Sequence, residues 1–487
     1  MELQFVGKPI HCLGRVVWDV QELEQTQEVR LPEDMPDIGN IVCAWGQCLL
    51  RGKEWHSDKV GVSGGVMAWV MYRPADGSEP RCVEVWLPMQ GKWSMPETKM
   101  EGSIRTKWLL SGVDGRMLSA RKMLVRANAQ VLAEAMAPGQ TEIFSPAELP
   151  EDVQLLKKTY LMQLPKEAGE KTFQMEEEMN VSGMEKPVCV SVIPAVREQI
   201  VVGGKAVFRG DAKIHLVYKG LDGMLCSTDR ELPFSQFADL DRDYDKEATL
   251  CVMPAVSNME LEQTESGTML KITLVMQYLV YDREQVDIYE DAYSNLRKTS
   301  CHKQSAKLPM ELDRMRQRME IAAELPANGR AVDVSVYPRH CAVHSAMQLH
   351  ELENCGSMQI VYYDESGRLC ADVERYSTVW EVPGDCGMLG MLKDVEQPRM
   401  EGNAVRSELE LEAVAVSEEA MEMLAGMELG EPVRPDPARP SLILRRAGTC
   451  GLWRIAKESG STMDAIAKAN GLDGEPGADQ MLLIPVV

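Results

Sequence analysis

Apolar strands that end in a tyrosine and a polar turn recur three times along this chain. The copies cover residues 69–77, 216–223 and 360–367. Their tyrosines are separated by 146 and 144 residues, a period too regular to be accidental. The turns close on Asp-Gly or Ser-Gly, which supply the positive φ that a tight hairpin requires. The pattern therefore predicts three related β units, each built around a hairpin.

Further shared segments surround each hairpin. Leu31–Ile38 aligns without a gap on Leu325–Val332, and a looser copy runs from Val181 to Val188. Residues 408–414 alternate between polar and apolar, which predicts a strand with one buried face. Each unit closes with a further strand pair, at Met123–Val131, Leu270–Tyr281 and Ser407–Val416. We therefore predict a mainly β chain of three tandem antiparallel sandwich-like or barrel-like repeats.

Helical pattern is expected mostly between the repeats. Residues 145–156 carry acids in their first turn, and Pro309–Leu325 places apolar residues at helical intervals, so both are predicted to be bridging helices. The expected organisation is repeat 1 at 1–144, a helix and repeat 2 at 145–305, a helix and repeat 3 at 306–425, a linker at 426–440 and a small α+β domain at 441–487.

The chain changes character after residue 425. Pro432, Pro435, Pro437 and Pro440 predict an extended linker. Ser461 is the expected N-cap of a helix that follows, and Gly471 is the expected left-handed residue after that helix. The predicted elements are a strand at Leu442–Arg445, helices at Leu452–Ser459 and Thr462–Asn470, and a strand at Met481–Pro485.

This C-terminal segment resembles the LysM domain, a βααβ module. The resemblance rests on the sequences of Leu452–Lys457, Ala469–Leu472 and Leu482–Pro485. With the Leu31–Ile38 segment and the tyrosine hairpins, nearly the whole chain is similar to the SipL family. These are clostridial spore-coat morphogenetic proteins built from SPOCS domains and a LysM domain.

The resemblance implies a non-enzymatic scaffold that acts in the mother cell during sporulation, at the forespore surface. It also implies that the LysM module binds the coat ATPase, stage IV sporulation protein A, and helps to attach the basement layer of the coat. The residues expected to contact this partner are Leu452, Trp453, Arg454, Lys457, Lys468 and Asn470. Strand order, self-association and direct partners of the repeats are left open.

The aligned loops differ from those of glycan-binding LysM domains. Many of those domains begin the first helix with Gly-Asp-Thr, whereas this chain has Thr449-Cys450-Gly451. The second loop, Glu475–Asp479, adds acidic residues. Protein binding is therefore favoured over glycan binding, and a peptidoglycan- or chitin-binding protein of the cell envelope is the alternative.

Charge excludes several classes of partner. The 487 residues include 75 Asp and Glu against 52 Lys and Arg, for a formal charge of −23. This acid excess argues against a nucleic-acid surface and against adsorption to anionic lipid. Residues 441–487 carry five charges of each sign, so the entire net charge lies on the repeats and the linker.

Cysteine content and hydropathy indicate a compartment. The 13 cysteines are scattered and odd in number, which favours free thiols in a reducing cytosol. The first nine residues lack a basic region followed by an apolar run, so no secretory signal is expected. Apolar stretches such as Ile272–Tyr281 are about half the length that a bilayer needs. We expect a cytoplasmic protein without membrane insertion.

Two patterns carry candidate chemistry, and both have simpler interpretations. Gly61–Gly65 fits the Gly-x-Ser-x-Gly elbow of an esterase with Ser63 as nucleophile, but a predicted hairpin strand follows where a helix is required. His340, Cys341 and His344, with His350 and Cys355 beyond, have zinc-ligand chemistry without the spacing of a closed site. No phosphate-binding loop is present. The expectation is a chain without catalytic residues, cofactor or metal.

Overall fold

Antiparallel strands make up almost all of the chain. The computed structural model describes residues 2–98, 100–264, 267–325, 329–346, 348–384, 387–401, 404–433 and 440–486. Within these ranges there are 23 strands and two short helices, and the strands pair antiparallel in several small sheets. The prediction of a mainly β chain is therefore confirmed. Neither helix in the described ranges is long and apolar enough to cross a bilayer.

A short strand, β1 (Glu2–Leu3), precedes the first six-stranded unit. Unit 1 consists of β2 (Phe5–Arg30), β3 (Ile38–Trp55), β4 (Lys59–Pro74), β5 (Arg81–Ser94), β6 (Ser103–Ser119) and β7 (Lys122–Pro146). Its middle strands form a meander in the order β3-β4-β5, and the others form a second sheet in the order β2-β7-β6. The two sheets face each other across a hydrophobic core.

Unit 2 repeats this arrangement, and unit 3 does so with two of the six strands each divided into two. Unit 2 consists of β8 (Val153–Glu178), β9 (Met184–Val202), β10 (Lys205–Gly220), β11 (Leu225–Asp239), β12 (Thr249–Thr264) and β13 (Gly267–Ser294). Unit 3 consists of β14 (Arg297–Glu324), β15 (Arg330–Pro338), β16 (Ala342–Ala346), β17 (Leu349–Tyr363), β18 (Leu369–Pro383), β19 (Gly387–Val395), β20 (Arg399–Glu401) and β21 (Ala404–Pro432). Here β15 and β16 both pair with β17, and β19 and β20 both pair with β21. In each unit the first strand pairs with the last, as β8 does with β13 and β14 does with β21.

The hairpin of unit 1 shows why its sequence motifs occur together. Tyr72 is fully buried, and its hydroxyl donates to the carbonyl of Pro36 at 3.0 Å. Arg121 donates to the carbonyl of Pro32 at 2.6 Å and to Asp37 at 3.1 Å. The segment Leu31–Ile38 is thus fastened between the hairpin and the last strand pair. Its counterpart in unit 3 includes Pro326–Asn328, which lie outside the described residues.

The predicted bridging helices are wrong, because strand pairing takes up both segments. Residues 145–156 contain the end of β7, a single turn closed by the amide of Val153 on the carbonyl of Pro150, and the start of β8. Pro309–Leu325 lies almost entirely in β14, which pairs with β21 over its whole length. Ile321, Ala323 and Leu325 are buried at alternate positions. The burial in this segment therefore follows the two-residue period of a strand.

The connections between the units are short. Residues 147–152 join units 1 and 2, and residues 295–296 join units 2 and 3. The predicted boundaries after 144 and 305 therefore fall inside β7 and β14. Of the expected linker, residues 426–432 belong to β21, while 434–439, with Pro435 and Pro437, lie outside the described residues.

The last described elements form a small module after unit 3. They are β22 (Leu442–Arg446), α1 (Leu452–Ser459), α2 (Met463–Asn470) and β23 (Met481–Pro485). β22 pairs only with β23 among the described residues. The element order is the βααβ order that the sequence predicts.

Candidate partner-binding site

Glycine and threonine delimit the two helices of the C-terminal module. Gly460 and Gly471 follow α1 and α2 in left-handed conformation, at φ 57° and 62°. Their lack of a Cβ makes this geometry inexpensive and turns the chain sharply at each helix end. Thr462 is the N-cap of α2, since its hydroxyl accepts from the amide of Ala465 at 3.0 Å. The expected cap, Ser461, is instead buried and donates to the carbonyl of Pro485.

Two of the six predicted contact residues hold the module together. Leu452 is buried in a core that includes Ile455, Ile466 and Ile484. Asn470 acts as an extra link to β23: its amide nitrogen donates to the carbonyl of Leu483 at 2.6 Å, and its oxygen accepts from the amide of Leu483 at 2.7 Å. Leu452 is buried, and the half-buried side chain of Asn470 is already hydrogen-bonded within the module.

Two more of the predicted residues dock the module onto unit 2. Trp453 packs edge-on against Tyr293 with ring centroids 4.9 Å apart, and its indole nitrogen donates to Asp291 at 2.9 Å. Lys457 forms an ion pair with the same carboxylate at 2.7 Å. Tyr293 in turn donates from its hydroxyl to the carbonyl of Ser461 at 2.8 Å. This face of α1 is therefore occupied within the chain.

The electrostatics of this contact favour an ionised Asp291. Burial raises the pKa of its carboxyl, but hydrogen bonds from Lys457 and Trp453 outweigh burial, and the pKa lies below its ordinary value. Burial raises the pKa of Tyr293 to about 12, so its hydroxyl stays a donor at neutral pH. The contact thus combines one charge-assisted pair with aromatic packing.

The remaining two predicted residues, Arg454 and Lys468, are exposed. Arg454 pairs with Glu458 one turn along α1 at 2.9 Å, and Lys468 pairs with Asp464 in α2 at the same distance. Exposed pairs of this kind are weak and can exchange for pairs with a partner. Lys457 is exposed as well, but it already pairs with Asp291, whereas Arg454 and Lys468 pair only within their own helices.

An apolar face on the two-stranded sheet was not among the predicted contacts. Leu444 lies opposite Leu483, and Leu442 lies opposite Pro485, so these side chains share one face. Leu442, Leu444, Met481 and Leu483 are between 36% and 65% exposed. We call these four residues the strand patch. Its signal was present in the sequence, because both strands carry apolar residues at consecutive positions rather than alternate ones.

The amino end of α1, where the aligned loop of glycan-binding domains lies, is capped from within the chain. Glu475 accepts from the amide of Leu452 at 2.7 Å. A Cβ added at Gly451 would lie 3.6 Å from the same carboxylate. The acidic second loop thus places a negative charge over the amides that open the helix, where the helix dipole favours it.

The residues of the esterase and zinc patterns lie on strands or in the turns between them. Ser63 lies inside β4, paired with Gln90 on one side and Gly52 on the other, and the element after β4 is the strand β5. Burial lowers the pKa of His340 to about 3, whereas His344 is exposed and His350 bonds to Ser345. Among the described residues no group of three or more His, Cys, Asp or Glu is placed to hold a metal ion. All twelve cysteines in the described ranges are free thiols, as predicted.

Comparison with known proteins adds no relative to this geometry. No family model, no curated protein and no solved structure matches the chain. The function is therefore inferred from the chain's own residues and from the resemblance carried by its motifs.

Proposed function

We propose that this chain is a non-enzymatic scaffold that presents its C-terminal module to a protein partner. The observation that carries the proposal is the strand patch, which leaves four large apolar side chains in water on a sheet only two strands wide. Contiguous exposed apolar residues on a small domain are typical of protein-binding surfaces. The other face of the same sheet is already used by the core of the module.

The charge distribution is compatible with this role. The module is formally neutral, while the repeats and the linker carry the whole net charge of −23. The three acidic repeats repel acidic surfaces of other proteins. The neutral, apolar module can approach a protein partner without this repulsion. The exposed cations Arg454 and Lys468 on the helices then supply polar contacts.

By its resemblance to the SipL family, the partner is the coat ATPase, stage IV sporulation protein A. In this proposal the chain works in the mother cell, where the repeats form the body of a coat adaptor and the module recruits the ATPase. Trp453 and Lys457 serve the internal contact with unit 2, so partner binding falls to the strand patch.

The test is co-purification of the full chain with stage IV sporulation protein A. We expect Leu444→Glu to reduce binding about tenfold or more, because it places a charge in an apolar contact. The matched control is Leu221→Glu, since Leu221 is exposed in the turn between β10 and β11 of the body. Undiminished binding by Leu444→Glu would contradict the proposal.

Deletion of residues 442–487 is a coarser test of the same proposal. It is expected to abolish co-purification, but it also uncovers Tyr293 and leaves Asp291 without its two donors. The point variant is therefore the more informative experiment, because it leaves the internal contact intact.

The alternative is a peptidoglycan- or chitin-binding protein, which the βααβ element order favours. Glu475 already accepts from the first amide of α1, which leaves less free donor capacity for a glycan at that helix end. Sedimentation with purified peptidoglycan separates the two functions. Clear co-sedimentation, lost on deletion of the module, would favour the alternative.

A further inference from the structure

A cluster of cations lies in the interior where the three units meet. Its members come from the sheet β2-β7-β6 of unit 1 and from strands β14, β19 and β21 of unit 3. They face residues of unit 2 across a small cavity. The cations that line the cavity are Arg15, Arg105, Arg314 and Lys393. The carboxylates that line it are Glu134 and Glu412. Among the described lining residues, positive charges therefore exceed negative charges by two.

The carboxylate of unit 1 is shared between two of these cations. One oxygen of Glu134 accepts from Arg15 twice, at 2.8 and 3.0 Å, and the other accepts from Arg105. Glu134 is fully buried. Both guanidinium groups thus share a single negative charge, which neutralises only one of them.

The carboxylate of unit 3 is shared in the same way. Glu412 accepts from the more exposed Arg316 at 3.1 Å and lies 3.8 Å from the ammonium of Lys393. Burial lowers the pKa of Lys393, Glu412 opposes this, and the neighbouring Arg316 and Arg314 lower the pKa further. Lys393 therefore shares the carboxylate of Glu412 with Arg316.

Two buried donors of the cluster have no acceptor among the described residues. They are the Nε atoms of Arg105 and Arg314. Arg105 is 6% exposed, so water outside the protein does not solvate it. The neighbour of Arg314 is the thiol of Cys251, a weak acceptor. A buried guanidinium N–H without an acceptor is costly, and a negative ligand would offset that cost.

The cavity has the size of a small ion. Its volume is about 30 Å³, and its wall is completed by unit 2 through Cys251, Val252, Met253 and Tyr281. A space of this volume holds one water-sized species and excludes an organic anion. Each unit contributes to the wall, so an ion there would contact all three.

We propose that this cavity binds one small inorganic anion of chloride size. The anion accepts from Arg105 and Arg314 and lies near Lys393, and it lowers the surplus of buried positive charge from two to one. Because it touches all three units, it stabilises their association. No bond is made or broken, and the effect is on stability.

The test compares thermal unfolding of the full chain in sodium chloride and in sodium gluconate at equal ionic strength. Gluconate is too large for the cavity, so we expect a midpoint about 2 °C or more higher in chloride. In crystals soaked with bromide, we expect an anomalous peak between the side chains of Arg105, Arg314 and Lys393. Equal midpoints in the two salts, with no peak in the cavity, would overturn the proposal.

Matched variants locate the effect. Lys393→Met keeps the volume of the side chain and removes one buried cation, so the difference between chloride and gluconate should shrink or disappear. Arg126→Met removes an exposed cation that pairs with Asp114 far from the cavity, and the difference should persist. If Lys393→Met does not fold, the bromide experiment on the unaltered chain still decides the question. A salt difference retained by folded Lys393→Met would contradict the assignment.

Discussion

Asp333 is a buried carboxylate at a position where the other two units place cysteines. Cys43, Cys189 and Asp333 pair with equivalent hairpin residues in their respective units. Burial raises the pKa of both thiols well above their usual range, so they remain neutral. Burial also raises the pKa of Asp333, but donors from His215, Trp45 and Ser335 outweigh it and keep the carboxylate ionised. Unit 3 therefore introduces a charge whose donors include Trp45 of unit 1 and His215 of unit 2.

The compensating charge comes from His215 of unit 2. Its Nδ1 and Nε2 atoms lie within hydrogen-bond distance of Asp229 and Asp333, so both nitrogens donate and the ring is an imidazolium. Burial lowers the pKa of His215, yet the two carboxylates outweigh burial and raise it to about 10 from an ordinary 6.5. The ring is protonated at neutral pH and links two units.

We predict that this ion pair makes stability fall in mildly alkaline solution. A group whose pKa is raised on folding stabilises the folded state fully at pH values below its unfolded pKa, which is 6.5 for His215. This contribution is lost as the pH rises towards the folded pKa of about 10. Between about pH 6 and pH 8 the free energy of unfolding should drop by about 2 kcal/mol. Denaturant titration at both pH values measures the drop.

The control for this prediction is His215→Gln, which keeps a hydrogen-bonding side chain without a titrating charge. Its free energy of unfolding should be lower at pH 6 and nearly constant up to pH 8. A variant that retained the full pH dependence would show that another group is responsible.

At the level of elements, an irregularity in β13 positions the contact with the C-terminal module. The pairing of β13 with β8 shifts register between Tyr289 and Asp291, leaving one extra residue in the longer strand. Such a bulge redirects the side chains that follow it. Asp291 and Tyr293 thereby face α1, at the end of unit 2 nearest its connection to unit 3.

We predict that Asp291→Asn loosens the module without unfolding the body. The substitution removes the ion pair with Lys457 and leaves one weaker acceptor for Trp453, a loss of about 1 to 2 kcal/mol. Amide hydrogen exchange in α1 and in residues 289–294 should accelerate about tenfold. Asp464→Asn, which breaks the exposed pair with Lys468, should leave these rates unchanged. Unchanged rates in Asp291→Asn would mean that aromatic packing alone holds the module.

The elements that could be predicted are those whose determinants are local. Gly471 specifies the end of α2, and the tyrosine hairpins specify β4, β10 and β17 by their turns. The prediction of bridging helices was wrong because the leucines and methionines of β14 also fit a helical spacing. The partner that makes this segment a strand is β21, which lies far away in the sequence.

The candidate site was predictable in part for the same reason. The βααβ order and its core follow from patterns within residues 441–487. The contact of Trp453 with Asp291 spans 162 positions in sequence and leaves no periodic trace in either segment. The strand patch could have been predicted from the sequence. Consecutive apolar residues in two short strands place apolar side chains on both faces of the sheet, and the core of the module buries only one face.

Across the whole molecule, the three units behave as parts of one body. Hydrophobic clusters draw residues from all three, and one of them joins Trp45 and Trp69 of unit 1 to Val217 of unit 2 and Val361 of unit 3. Hydrogen bonds also cross each boundary, as between Gln47 and the amide of Val192, or Ser227 and the carbonyl of Val332. β1 pairs with β21, which ties the first described residues to the last unit.

This architecture predicts that a single unit does not fold stably by itself, although it has its own strand layout and sandwich core. A fragment of residues 1–146 would expose Trp45 and Trp69, which are 4% and 6% exposed in the full chain. It would also leave Arg105 and Glu134 at a newly exposed surface. We expect this fragment to bind a hydrophobic dye and to aggregate or unfold non-cooperatively, because the lost contacts amount to a large apolar face.

Residues 1–433, which lack only the C-terminal module, should instead unfold in one cooperative transition by calorimetry. A monomeric fragment 1–146 with a sharp transition of its own would show that each unit is an independent domain, and that contacts between units add to a stability each already has.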